Sequence, residues 1–390
     1  MNTAPSEGLL TRAECNALRG LAILGIFLHN YCHWLGPIVK ENEFQFFEHN
    51  VSWLHRVLGS PDLLLPIHLI SFFGHYGVPI FLFLSAYGLE RKYAATGSPL
   101  HIYMSAPSDG TPVVPLGAAA LPSGPGVLAF VRYHYLKLFK MMIVGFVCFT
   151  VVDAITPARW GYSALQVVAQ LGMFNNLLPQ PDHNIWPGPY WFFGLMLQLY
   201  IVYRLLLYHR HWGWTAGLMV ACVGLQLLLG PESEALNRYR YNFMGGMLPF
   251  GMGLLFARYG ERIILLRLNS GGLLMSWVVT SFFIVAMSGN VVGWTFVPAF
   301  VCYAAIYFVK FVGSLTPHAV ASSLMRKLVW MGSISAALFV IHPVLRKVFL
   351  PISRQGDIYA GLLLYVVASI AAAWLIREVM NKIPNPTLKS

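Results

Sequence analysis

Asn16-Ala-Leu-Arg-Gly-Leu-Ala-Ile-Leu-Gly-Ile-Phe-Leu-His29 is the first long apolar run of the chain, with Arg19 near its start and His29 at its end. As a helix rising about 1.5 Å per residue, it carries the imidazole roughly 15 Å beyond the guanidinium. If the run crosses a bilayer, Arg19 lies at one headgroup boundary and His29 near mid-depth. An ionisable group at that depth is costly and marks a functional site by default. An imidazole also takes up protons near neutral pH, as a general base must.

Composition extends this reading to the whole chain. A hydrophobic share of 57%, a charged share of 11% and a mean hydropathy of +0.61 exclude an ordinary soluble domain. Abundant glycine and tryptophan suit helix packing and interfacial anchoring. Cys15, Cys32, Cys148, Cys222 and Cys302 lie in or beside apolar runs without disulfide or metal spacing, and read as packing residues. No cleavable leader is expected at the N-terminus, where Glu7 and Glu14 flank Arg12.

Ten stretches approach the roughly 20 residues a bilayer core needs: 17–36, 68–90, 136–155, 190–209, 212–230, 241–258, 271–289, 292–313, 331–351 and 358–379. The expected fold is therefore all-α and polytopic, with about ten transmembrane helices in a single membrane domain spanning 1–390. Residues 163–178 are shorter and amphipathic, and read as an interfacial or re-entrant helix. With both termini on one side, 18 of the 26 Lys and Arg fall on that side and eight on the other. The positive-inside rule then makes both termini cytoplasmic. The net charge of +11 reports this topology and calls for no nucleic-acid partner.

Three loops are long. Residues 93–127 are rich in Pro, Gly and Ser and read as a flexible cytoplasmic insertion. The outer segment 37–67 carries Glu41, Glu43, Glu48, His49, Trp53 and His55, and 156–189 carries Trp160, Asp182, His183 and Trp186. Aromatic rings with carboxylates suit a sugar, and interfacial tryptophan equally suits membrane anchoring.

No phosphate-binding glycine loop, HExxH, CxxC pair or nucleophile elbow is present, and no metal site is expected. The candidates are polar residues stranded in apolar helices. His33 follows His29 on the same helix face and reads as a packing histidine. The segment Arg132-Tyr-His134-Tyr-Leu-Lys137-Leu-Phe-Lys140 concentrates positive charge at the cytoplasmic interface with Arg91 and Lys92. It fits the phosphates of a cytoplasmic donor, or simply topology and anionic lipid. In Gly332-Ser-Ile-Ser-Ala-Ala-Leu-Phe-Val-Ile-His342-Pro, His342 also lies near mid-depth. There Pro343 interrupts the helix and frees a carbonyl, and packing is the favoured role.

Taken in order, these pieces resemble the acyltransferase-3 family of integral membrane acyltransferases. The resemblance rests on Arg19-Gly20 through His29, on Gly77-Val-Pro-Ile-Phe-Leu-Phe-Leu-Ser85-Ala-Tyr-Gly88, and on Phe130-Val-Arg132-Tyr-His134-Tyr-Leu-Lys137. It continues through Trp191-Phe-Phe-Gly194, Leu248-Pro-Phe-Gly-Met-Gly253 and Gly332-Ser-Ile-Ser335 with His342. The chain departs from the family pattern in three places. Nine residues, where the family has ten, separate Arg19 from His29; a basic pair is softened to His134 and Lys137; and Ala86 stands for a glycine after Ser85.

The resemblance implies transfer of an acyl group, most often acetyl, from cytoplasmic acyl-CoA to a hydroxyl of a cell-envelope or secreted glycan, in a bacterial inner membrane. It implies His29 as the catalytic base or acyl carrier and Arg19, Arg132, His134 and Lys137 as donor-binding residues. Ser85, His342 and His33 are expected in support. Acetyl-CoA enters as substrate, with no permanently bound cofactor; glycan and membrane lipid are the other partners. The competing class is a transporter of a carboxylate or acylated precursor, although no inverted repeat is apparent.

Overall fold

The computed structural model of the protein describes residues 9–93, 125–157, 159–262, 268–315 and 318–387. The expected insertion at 93–127 therefore lies, over 94–124, outside the described residues. Helices dominate, and no strand occurs among the described residues. In chain order they are α1 (Arg12–Cys32), α2 (Glu48–Gly59), α3 (Leu65–Phe73), α4 (Gly77–Tyr93), α5 (Val127–Ile155), α6 (Ala164–Leu171) and α7 (Trp191–Val202). Then follow α8 (Trp212–Leu227), α9 (Glu234–Tyr241), α10 (Phe243–Tyr259), α11 (Ser270–Met287), α12 (Val291–Ser314), α13 (Ala319–Gln355) and α14 (Ile358–Lys382).

Each of the ten apolar stretches coincides with a helix, the second with α3 and α4 joined by a tight turn at Gly74–Tyr76. Seven of the ten are long and apolar enough to cross a membrane: Leu65–Tyr93, Gly188–Leu207, α5 and α11 to α14. Of the other three, α8 and α10 are short, at 16 and 17 residues, and α1 carries Arg12, Glu14 and Arg19. The amphipathic 163–178 stretch forms the short α6 and a single 3-10 turn at Asn175–Leu177.

The site is built around α1. A capping box starts this helix: Thr11 Oγ1 accepts from the Glu14 N–H at 3.1 Å, and Glu14 Oε2 accepts from the Thr11 N–H at 2.7 Å. Glu14 also accepts from Lys310 Nζ of α12 at 3.1 Å. Inside a bilayer, lipid is as apolar as leucine, so helices associate through close packing at small residues. Accordingly, a Cβ on Gly20 would lie 2.1 Å from the Leu328 carbonyl oxygen, and one on Gly332 would lie 1.9 Å from that of Asn16. These two glycines let the backbones of α1 and α13 touch. Gly74 does the same beside His29, since a Cβ there would lie 2.6 Å from the His29 Cβ. Beyond Cys32, Gly36-Pro37 ends any helical continuation and turns the chain back toward α3.

Candidate active site

α1 brings His29 and His33 onto one face, with ring centroids 4.6 Å apart. His29 is 1% exposed, and its Nδ1 lies 2.8 Å from the Ser71 carbonyl oxygen. A carbonyl only accepts, so Nδ1 carries the proton of the neutral ring and Nε2 keeps the lone pair. That Nε2 is buried and accepts no hydrogen bond from the protein. His29 lines a cavity of about 730 Å³ whose walls come from the expected outer segments around 37–67 and 156–189 and from α13.

The 37–67 segment supplies the acid beside it. Glu41 Oε1 lies 4.0 Å from His29 Nε2 and accepts from His33 Nδ1–H at 2.8 Å. Its place is set by backbone bonds on either side. The Val39 N–H donates to His68 Nδ1 at 3.1 Å, Ser71 Oγ donates to the Val39 carbonyl at 2.6 Å, and Asn50 Nδ2 donates to the Glu41 carbonyl at 3.0 Å. Ser71 thus orients His29 through its carbonyl and the loop bearing Glu41 through its hydroxyl. Burial alone would raise the Glu41 carboxyl, but the charge and hydrogen bond of His33, with His29, outweigh it and hold the group well below the usual range. Glu41 is an anion.

Glu43 behaves oppositely. Burial, then the charge of Glu41, pushes its carboxyl up to about 8 against the pull of Arg240. Arg240, lowered by burial to about 10, remains a cation. It donates from Nε to the Glu43 carbonyl at 2.8 Å and stands 4.1 Å over the Trp294 ring. His75 lies 5.5 Å from His29 by ring centroids, with neither ring nitrogen bonded to protein. His75 and Glu43 also line a hollow of about 40 Å³ beneath the main cavity, room enough for water.

The opposite wall is aromatic and is pinned by one ion pair. Asp153 of α5, 1% exposed, pairs with Lys347 of α13 and accepts from the Trp160 N–H and the Tyr162 hydroxyl, each at 3.1 Å. Tyr162 and Phe149 meet Trp186 edge-on at 4.7 and 4.0 Å, and Trp160 stacks on it at 5.9 Å. Arg346 bonds the Asn30 carbonyl at 3.2 Å and lies 5.2 Å from the Trp34 ring.

The other sequence candidates lie elsewhere. Ser85 Oγ meets the Tyr200 hydroxyl at 2.9 Å, and the His134 ring sits 4.4 Å from both Tyr200 and Phe130. His134 Nε2 is 3.4 Å from the Tyr93 hydroxyl. Ser85 and His134 are thereby gathered into one aromatic cluster, while Arg132 and Lys137 are exposed on α5. Arg19 donates to Asn16 Oδ1 at 2.9 Å and is near enough for its charge to act on Tyr200. His342 is fully buried and donates from Nδ1 to the Leu338 carbonyl at 3.1 Å. Its helix, α13, runs on through Pro343 where an interruption was expected. Sequence reasoning missed Ser71, His75, Arg346 and the Asp153–Lys347 pair as parts of the site. Among the described residues, His29, His33 and Glu41 also offer ligand atoms that all lie within 4.8 Å of one another, a set able to hold a metal ion.

The family model of the acyltransferase domain of the acyltransferase-3 family matches residues 12–378. The chain belongs to the acyltransferase-3 family. No curated relative and no solved structure matches it. It is thus an integral membrane acyltransferase. Several motifs behind the resemblance act in this acyltransferase as packing devices. A Cβ on Gly77, Gly194 or Gly253 would come within 2.3 Å of Ala22 O, Asn176 Oδ1 or Phe83 O, just as Gly20 and Gly332 bring α1 onto α13.

Proposed function

We propose that this acyltransferase moves an acyl group, in the simplest case acetyl, from cytoplasmic acyl-CoA to a hydroxyl of an extracytoplasmic glycan, with His29 as general base. The observation that carries this reading is the His29 ring. Its proton is tied to the Ser71 carbonyl, and its partnerless Nε2 sits on the wall of the 730 Å³ cavity. The acceptor hydroxyl oxygen attacks the thioester carbonyl while Nε2 takes its proton. The carbon–sulfur bond then breaks, and the leaving thiolate recovers that proton from the imidazolium. Glu41, an anion 4.0 Å from Nε2, stabilises the imidazolium between the two events. A positioned base of this kind contributes about 10²–10⁴-fold.

The acceptor occupies the outer cavity, where Trp160, Trp186 and Trp191 offer flat apolar faces and Glu41 and Asp182 offer hydroxyl acceptors. Arg19, Arg132 and Lys137 serve the donor at the opposite end, the exposed Arg132 and Lys137 taking its phosphates, with His134 packed among aromatic rings behind them. In this reading ten helices cross a bacterial inner membrane, with both termini cytoplasmic. The test incubates purified protein with acetyl-CoA labelled in the acetyl group, with and without glycan. Label appearing on glycan, and lost in His29→Ala protein that remains folded, is the expected result. Uptake of unmodified solute into vesicles without label transfer overturns it in favour of a carrier.

A further inference from the structure

His29, His33 and Glu41 hold more ligand capacity than proton transfer requires. Their donor atoms lie within 4.8 Å of one another, and zinc binds imidazole nitrogen and carboxylate oxygen at about 2.0–2.2 Å. Small side-chain movements therefore suffice to close the three around one ion. His29 Nε2, His33 Nε2 and Glu41 Oε2 are all buried without a protein partner. The outer shell has the pattern of a metal site as well, because ligating histidines characteristically donate their other ring N–H to a carbonyl. His29 Nδ1–H does so to Ser71, whose hydroxyl in turn holds Val39, two residues before Glu41.

We propose that His29, His33 and Glu41 form an extracytoplasmic site for a zinc-class divalent ion, and that the bound ion shuts off acyl transfer by occupying the lone pair of His29. Two imidazoles and one carboxylate make a three-ligand set whose fourth position faces the cavity. Such a donor set favours zinc over magnesium or calcium, which prefer oxygen. The inhibitory half of this inference rests on His29 being the base; the binding half does not.

The test uses the full chain, purified without a polyhistidine tag and stripped with EDTA. Cobalt serves as the optical probe and zinc as the competitor. The expected result is one cobalt per chain with the visible absorption of a low-coordinate site, displaced by zinc. Transfer should fall about 100-fold or more with zinc and recover with EDTA, since the contribution of the base is lost. Magnesium should do nothing. His33→Ala and Glu41→Gln should each weaken cobalt binding beyond the roughly 10–100-fold that loss of an outer-shell partner costs. Glu41→Gln is nearly isosteric and carries the test if His33→Ala does not fold. Absence of saturable binding, or equal binding in both variants, overturns the site. One bound equivalent with transfer undiminished overturns the inhibition. Activity of metal-free His29→Ala separately identifies failure of the base assignment.

Discussion

His29 and His134 are both buried histidines on long apolar helices, yet their surroundings differ in kind. His29 has one nitrogen fixed by a carbonyl, an anion 4.0 Å from the other, and a large cavity beside it. His134 is enclosed by the rings of Phe130, Tyr200, Tyr93 and Tyr133 and meets only a hydroxyl. One ring is oriented toward a space that a substrate can enter, and the other is packed like an aromatic residue. Burial alone therefore does not separate a candidate base from a packing histidine. What separates the two is a fixed tautomer with a partnerless lone pair beside open volume.

The strongest way to break this contrast is to exchange each imidazole for an amide. His29→Gln should lower single-turnover label transfer by about 10²–10⁴-fold, whereas His134→Gln should change it far less. Equal losses would erase the distinction. Glu41→Gln comes next. A charge 4 Å away at an effective dielectric near 20 is worth up to about 4 kcal/mol, so kcat should drop roughly 10–100-fold, with the acceptor KM moving little. Asp153→Asn should act on the wall and not on the base, raising the acceptor KM several-fold as Trp160 and Tyr162 loosen, with the donor KM unchanged. The double change Arg132→Gln and Lys137→Gln probes the other end. It should raise the acyl-CoA KM several-fold, and added salt should shrink the difference, because exposed charges are screened.

A prediction of another kind, read in stability and not in turnover, concerns Glu43. Its carboxyl moves from an ordinary 4.5 to about 8 on folding, so the folded protein keeps a proton that the unfolded chain releases across that range. The resulting destabilisation is absent below pH 4.5, grows through the interval and is complete above 8. Glu43→Gln should therefore unfold at a higher temperature than the native protein above pH 8 and at the same temperature below 4.5. Thermal unfolding across that range checks the sign.

Much of the framework was legible in the chain. The ten apolar stretches all became helices, because twenty apolar residues state their preference locally. His29 stood out for a local reason too, as an imidazole deep in the first of them. Residues of the aromatic segments 37–67 and 156–189 both contribute to the cavity wall. Its partners were not legible. Glu41 was visible only as one of several acids in an outer loop, and nothing distinguished its depth from that of Glu48, which is exposed. The role of Asp153 in pinning Trp160 depends on Lys347, 194 residues away, and carries no local signal. His75 and Arg346 carried no local signal. The motif glycines were legible as a family pattern, and their physical role emerged only when neighbouring backbones were seen to pass within a Cβ radius of them.

By itself the sequence determined an α-helical membrane acyltransferase with one histidine set deep in its first apolar helix. Hydropathy, helix length and motif order are properties of contiguous residues, and each survives without knowledge of what packs against what. Tertiary structure alone decided which nitrogen of His29 is free, which acid stands beside it and how two imidazoles and a carboxylate come within reach of one ion. Those features depend on the Ser71 carbonyl, 42 residues from His29, and on a loop held by His68, Ser71 and Asn50. Hydrogen-bond geometry is set at the scale of tenths of an ångström by distant residues, and no local pattern encodes it.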